Sequence, residues 1–209
     1  MLGQNVTSKY NSLIYKVIIW TCFLLLLPST SLAFGATSEL QAVFKNITSM
    51  KASFVQATVP AGKSDSAAIR NSGYMTFVSP NKIRWESGKS TFVSDGNFTK
   101  TISSGKKAAK AKLDYWTIAN PAMVLISSWY ALDEFFWVKK FYAESKDNDV
   151  MFGIKPRNRV MTNYDGIKLH FQNGKLTEMY IMEKSGQKSA IKFNNIKNNA
   201  PIGEKIFAT

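Results

Sequence analysis

One cysteine and one histidine occur in 209 residues. That scarcity argues against a Cys/His zinc site, a Cys/His protease, a CxxC redox centre and a disulfide framework, each of which needs side chains this chain lacks. Acid is scarce too: 14 Asp and Glu stand against 27 Lys and Arg, a net charge of +13. No GxxxxGK[ST] run and no strand-linked GxGxxG is present, so no phosphate cradle is indicated. Internal repeats, heptads and an interdomain linker are absent as well. What is abundant is apolar matter, 45% of residues, with 14 Phe, 8 Tyr and 5 Trp. At 20% charged, this is the composition of a folded chain with a sizeable core.

The first 33 residues read as an address. Lys9 and Lys16 precede an apolar run, Val17 to Leu27, which Pro28 breaks. Ser31-Leu32-Ala33 then supplies an A-x-A-like cleavage site, completing the pattern of a secretory signal peptide. The run covers roughly 16 Å as a helix, short of the roughly 30 Å hydrocarbon core. Cys22 lies inside the run rather than after small residues at its end, so no lipidation signal is formed. Residues 1–33 are therefore expected to be removed, leaving 34–209 as a single exported, soluble domain. No later run approaches 18 apolar residues.

Downstream, the hydrophobic period alternates between helix and strand. Leu40, Val43, Phe44 and Ile47 form one helical stripe, with Ser38 and Gln41 as a weak capping box. From Met50 the period is two: Met50, Ala52 and Phe54 alternate with Lys51 and Ser53. Gly73 to Val78, the Ile83/Trp85 alternation, Thr91 to Ser94 and Phe98 to Ser103 read as strands. Ser79-Pro80-Asn81, with Asn accepting a left-handed conformation, and Asp95-Gly96 read as turns between them. Gly105 to Lys112 carries four Lys and no acid and reads as an exposed loop. Asn120-Pro121 starts an apolar helix holding Met123, Val124, Leu125 and Ile126. A second short helix is expected near Tyr130 to Lys140. Val150 to Ile154, Ile167 to Phe171, Leu176 to Met182 and Ala190 to Ile196 return to strand, with Asn173-Gly174 as the strongest hairpin signal. Ile206-Phe207 reads as a terminal stub of strand. Many short strands with regular turns predict a mainly β sandwich or barrel whose apolar helices cover one sheet face.

Four ordered stretches resemble the LolA family of periplasmic lipoprotein carriers. They are Ser49-Met50-Lys51-Ala52-Ser53-Phe54-Val55-Gln56; Gly73-Tyr74-Met75-Thr76-Phe77 with Pro80-Asn81-Lys82-Ile83-Arg84-Trp85; Val93-Ser94-Asp95-Gly96; and Asn120-Pro121 through Ile126. The resemblance implies an incomplete, strongly curved antiparallel β-barrel lidded by short α-helices, the fold of LolA and its receptor LolB. It implies an apolar cavity for acyl chains lined by Phe54, Met75, Phe77, Ile83, Trp85, Phe92, Met123, Leu125 and Ile126, with a lid or gate at Ser79 and Pro121. Acylated lipoproteins, an inner-membrane lipoprotein-releasing transporter and an outer-membrane lipoprotein receptor are the implied partners. No cofactor, no metal and no nucleic acid are implied, and the protein is expected to be a periplasmic monomer without enzymatic activity. Missing lipidation favours carrier over receptor. Ser79 stands where the family often has Arg, and the chain ends soon after Phe207 where the family often continues.

The same cavity would serve another acylated lipid or a glycolipid, and the same fold a lipid-sensing domain. Nucleic-acid binding is disfavoured because the Lys are interspersed along polar strand faces of an exported chain; steering toward an anionic membrane or an acidic partner fits better. His170 alternates with Leu169 and Phe171 and is expected to face water. Asp133-Glu134 and Asp147/Asp149 read as helix-end and turn carboxylates with no catalytic partner.

Overall fold

The computed structural model describes residues 30–113, 132–142, 149–158 and 162–209. Among the described residues helix α1 (Thr30–Lys45) comes first. The strands follow: β1 (Ser49–Val59), β2 (Ile69–Val78), β3 (Lys82–Ser87), β4 (Ser90–Asp95), β5 (Phe98–Ser103) and β6 (Ala109–Lys112). After helix α2 (Leu132–Phe135) come β7 (Phe136–Tyr142), β8 (Asp149–Pro156), β9 (Tyr164–Gln172), β10 (Lys175–Glu183) and β11 (Lys188–Asn198). A 3-10 turn, Glu204–Phe207, lies near the C-terminus.

All eleven strands join one antiparallel sheet in the order β6-β5-β4-β3-β2-β1-β11-β10-β9-β8-β7. Every neighbour is also a sequence neighbour except the central pair, β1 with β11. Laid flat, eleven strands would span about 48 Å, whereas the 16 residues of α1 span about 24 Å. Yet Ala36, Leu40 and Phe44 of α1, with Ile47 just after it, form one continuous apolar cluster with inward residues from both halves of the sheet. The sheet is therefore curled, its inner face closed in part by α1, which packs on β7 and α2.

Turn chemistry fixes the registers. Asn173 and Gly174 take φ of 50° and 71°, the left-handed pair that a two-residue hairpin requires. Between β2 and β3 the turn carries a cis Ser79-Pro80 peptide. Asn81 is not left-handed as its residue type predicted. Its backbone carbonyl instead accepts from Ser94 Oγ at 3.0 Å, and its Nδ2 donates to the Gly96 carbonyl at 3.2 Å. This ties the β2–β3 turn to the β4–β5 turn.

Other expectations needed correction. Helix α1 starts at Thr30, ahead of the Ser38 box. The helix foreseen for Tyr130 to Lys140 is α2 alone; from Phe136 the chain is strand, because Phe136 and Val138 face inward while Trp137 faces out. Half of the basic loop is edge strand β6. Ile206 and Phe207 belong to a 3-10 turn, not a strand. That turn packs on the outer side of β3 and β4, where Phe207 and Val93 are buried. Lys82 bonds Glu204 at 2.8 Å there.

Asp95 anchors this region. Its Oδ1 accepts from the backbone N–H groups of Asn97 and Phe98 at 2.8 Å each, and its Oδ2 from Thr209 Oγ1 at 2.5 Å. The Thr209 bond, with the two backbone donors, holds the carboxyl below the ordinary carboxylate range despite opposing desolvation. A depressed carboxylate contributes stability above its unfolded pKa and loses it as pH falls through the folded value. Asp95→Ala should cost about 1 kcal/mol near neutrality, and urea titrations should show the gap to wild type closing below about pH 4.

Candidate functional site

The candidate site is the inner face of the sheet, and strand register assembles it. Across β1, β2, β3 and β4 the partners run Ala52–Met75–Trp85–Phe92 in one row and Met50–Phe77–Ile83–Ser94 in the next. Phe54 sits one row further on, opposite Gly73 on β2 and Phe193 on β11. The six sheet-borne residues singled out from sequence (Phe54, Met75, Phe77, Ile83, Trp85 and Phe92) thus share one face and one apolar cluster, none more than 7% exposed. Period-two alternation is the cause: Lys82, Arg84 and Glu86 take the other face.

Aromatic contacts knit this half together. The Phe54 and Trp85 rings lie 4.2 Å apart between centroids, tilted by 31°, and Phe193 meets Trp85 edge-on at 6.2 Å. Such contacts are worth about 0.5–1.5 kcal/mol beyond area burial. Gly73 makes the stack possible. A Cβ there would lie 1.7 Å from the Glu86 carbonyl oxygen and 2.8 Å from the Phe54 ring.

The other half of the face was not singled out from sequence. Phe152–Leu169–Met179–Ile191 and Ile154–Ile167–Ile181 form its rows. Phe171 meets Phe44 of α1 at 5.8 Å and Phe152 at 6.0 Å, both edge-on. The alternation Ile167, Leu169, Phe171 was the signal that could have placed them. Lys140, on β7, is paired with Glu39 of α1, which pins the helix across this half. At one end the inner face turns polar. Gln56 Nε2 donates to Thr58 Oγ1 at 3.0 Å, and the Thr58 and Ser189 hydroxyls lie 3.1 Å apart.

Ser79 is half-buried in the β2–β3 turn, its backbone N–H donating to the Thr48 carbonyl at 2.9 Å. Pro121, Met123, Leu125 and Ile126, the remaining lid and cavity residues, lie outside the described residues.

The outer face holds the second feature. His170 does point away from Leu169 and Phe171, but it is only 7% exposed, not in water as expected. Its Nε2 is bonded to Asp149, so Asp149 is no unpartnered turn carboxylate. Nδ1 lies 3.4 Å from Glu178 Oε2, which also accepts from Tyr180 Oη at 2.6 Å. Glu178, through its hydrogen bond first and against desolvation, with Asp149 adding to it, raises the imidazole above its ordinary range. Beside it Lys168 is pushed down to about 8 by burial, and burial raises the Tyr180 hydroxyl. Both ring nitrogens are thus engaged by carboxylates, which leaves the imidazole no free nitrogen for acid–base work.

The architecture as a class is an open antiparallel sheet curled around an apolar face with a helix laid across it. More narrowly, the family model described as outer membrane lipoprotein carrier protein LolA matches residues 45–209, and the chain belongs to that family. An outer-membrane lipoprotein carrier protein from Coxiella burnetii is 26% identical over 183 residues, 82% of this chain and 81% of that one. One of the same description from Chromohalobacter salexigens is 27% identical over 188 residues, covering 88% and 87%. A solved LolA superfamily protein from Nitrosomonas europaea superposes with a TM-score of 0.51 at 10% identity, over 85% of this chain and 97% of that one, a likeness of fold alone.

Proposed function

We propose that this protein is a periplasmic carrier that takes up the acyl chains of lipoproteins on the inner face of its sheet and moves them from the inner to the outer membrane. An inner-membrane releasing transporter would load it and an outer-membrane receptor unload it. The observation that carries this reading is the continuous apolar face, shared between both halves of the sheet and α1, in a chain of the LolA family. Each methylene kept from water is worth about 0.8 kcal/mol, so an acylated anchor cannot cross an aqueous compartment bare. A face that closes around it removes that barrier. Release then requires only that the face reopen at an acceptor of higher affinity. The reading is of a carrier rather than a catalyst, since the single histidine is held at both nitrogens.

Titration with a triacylated lipopeptide tests it. Trp85, stacked on Phe54 within the face, should change its fluorescence saturably, and a soluble unacylated peptide of the same sequence should not. Mass spectrometry of lipid extracted from protein purified from periplasm should find acyl chains from lipoproteins. Glycolipid there instead would move the reading to a carrier of another acylated cargo. Neither cargo nor saturable titration would end it.

A further inference from the structure

Strands β5 and β6 form one end of the sheet, and their outer face mixes lysines with exposed apolar side chains. Register places Phe98 opposite Lys112 and Lys100 opposite Lys110. Phe98, Lys100, Ile102, Lys110 and Lys112 therefore share that face. Lys106 and Lys107 extend it through the connecting turn, where both are exposed. Phe98 is 43% exposed and Ile102 42%. From Gly96 to Leu113 the sequence holds five Lys and no acid. Asp95, just before this segment, is engaged by Thr209 and two backbone donors; Lys110 lies near it, over the Phe98 ring at 4.8 Å and 3.4 Å from the Thr209 carbonyl.

We infer that this strip is a docking surface for anionic lipid headgroups, by which the protein rests reversibly on a membrane. Two observations favour a lipid surface over an acidic protein. Every cation in the strip is Lys, a flexible point charge suited to a diffuse anionic field rather than to the forked, bidentate recognition that Arg gives. Protein interfaces are depleted in Lys, whereas Lys interleaved with exposed aromatic and aliphatic side chains is the pattern of interfacial membrane contact. The strip also lies on the outer face, so docking would leave the inner apolar face unobstructed. The inference adds to the carrier reading but does not depend on it.

Flotation with vesicles tests it in the absence of any acylated cargo. The full exported protein should float with phosphatidylglycerol-containing vesicles at low salt, stay in solution with phosphatidylcholine alone, and lose most binding at 0.5 M salt. Changing Lys106, Lys107, Lys110 and Lys112 together to Gln should weaken binding at least tenfold, with circular dichroism unchanged. The matching set of Arg replacements should retain it. Phe98→Ser with Ile102→Ser should weaken binding while keeping its salt dependence. Absence of flotation at low salt would overturn the inference. So would flotation that the Gln set leaves intact, or binding to an acidic protein partner with none to vesicles. Lipopeptide titration of the same variants should stay normal, which separates failure of the strip from failure of the carrier reading.

Discussion

His170→Ala is expected to cost about 3 kcal/mol of folding stability, because it takes from Asp149 its ion-pair partner and from Glu178 a cation that Lys192, 4.0 Å away, replaces only in part. The pH dependence of the wild type carries the same information. The carboxylates raise the folded-state pKa of His170 above its unfolded value of about 6.5. A group raised in this way contributes stability that is fully present below the unfolded pKa and is lost as pH rises through the folded one. Wild-type stability should therefore decline from about pH 6.5 upward. Lys168 opposes this only above about pH 8: burial lowers its pKa to about 8, and its folded-state penalty is relieved as pH climbs beyond that value. Urea midpoints for wild type and His170→Gln between pH 6 and 8 make the measurement. A wild-type midpoint flat across that window, or one that the Gln variant tracks, would show that the imidazole carries no charge worth holding.

Gly73→Ala should be as damaging, for a steric reason. The added methyl would meet the Glu86 carbonyl, a backbone atom in the paired strand that cannot swing aside, and would press on the ring of Phe54. Separating β2 from β3 or evicting Phe54 from its stack on Trp85 are the two ways to make room. Either should cost about 3 kcal/mol. The near-ultraviolet circular dichroism of the stacked rings should weaken with it. Gly153→Ala is the control: the nearest atom to its methyl is the edge of the Phe141 side chain at 3.0 Å, which can yield, so the loss should stay below about 1 kcal/mol. Equal midpoints for the two variants would refute the account of Gly73.

The strands whose two faces differ in polarity were readable from sequence, because each inward residue had a charged or hydroxylated neighbour to contrast with it. Ile83 and Trp85 between Lys82, Arg84 and Glu86 are the clearest case. Strand β7 was misread because both of its faces are mixed. Trp137 and Phe141 lie outside and Lys140 inside, where Glu39 from a distant helix neutralises it. On β1 the dry side changes after Phe54: Ala57 and Val59 are buried on the outer face, Ala57 opposite Ala190. Of the proposed site, the β1–β4 half was named from the family's motifs, while the β8–β11 half needed the register that only the β1–β11 pairing supplies. The burial of His170 was invisible because its partners lie 21 and 8 residues away in sequence and meet it only through strand pairing.

That β1–β11 seam also orders events in time. Strands β1 to β6 and β7 to β11 are two meanders whose pairings run between sequence neighbours, so each can zip up from its own turns. The seam joins segments roughly 130 to 150 residues apart and carries the closure entropy of the whole intervening chain. It cannot form until β11 has emerged from whatever makes or threads the polypeptide. Until then neither meander has its other half to close the inner face, and both keep a bare central edge and open apolar residues. Completion of the fold is thereby tied to arrival of the last long strand. Each meander can thus pair within itself while the finished fold still waits on one late step.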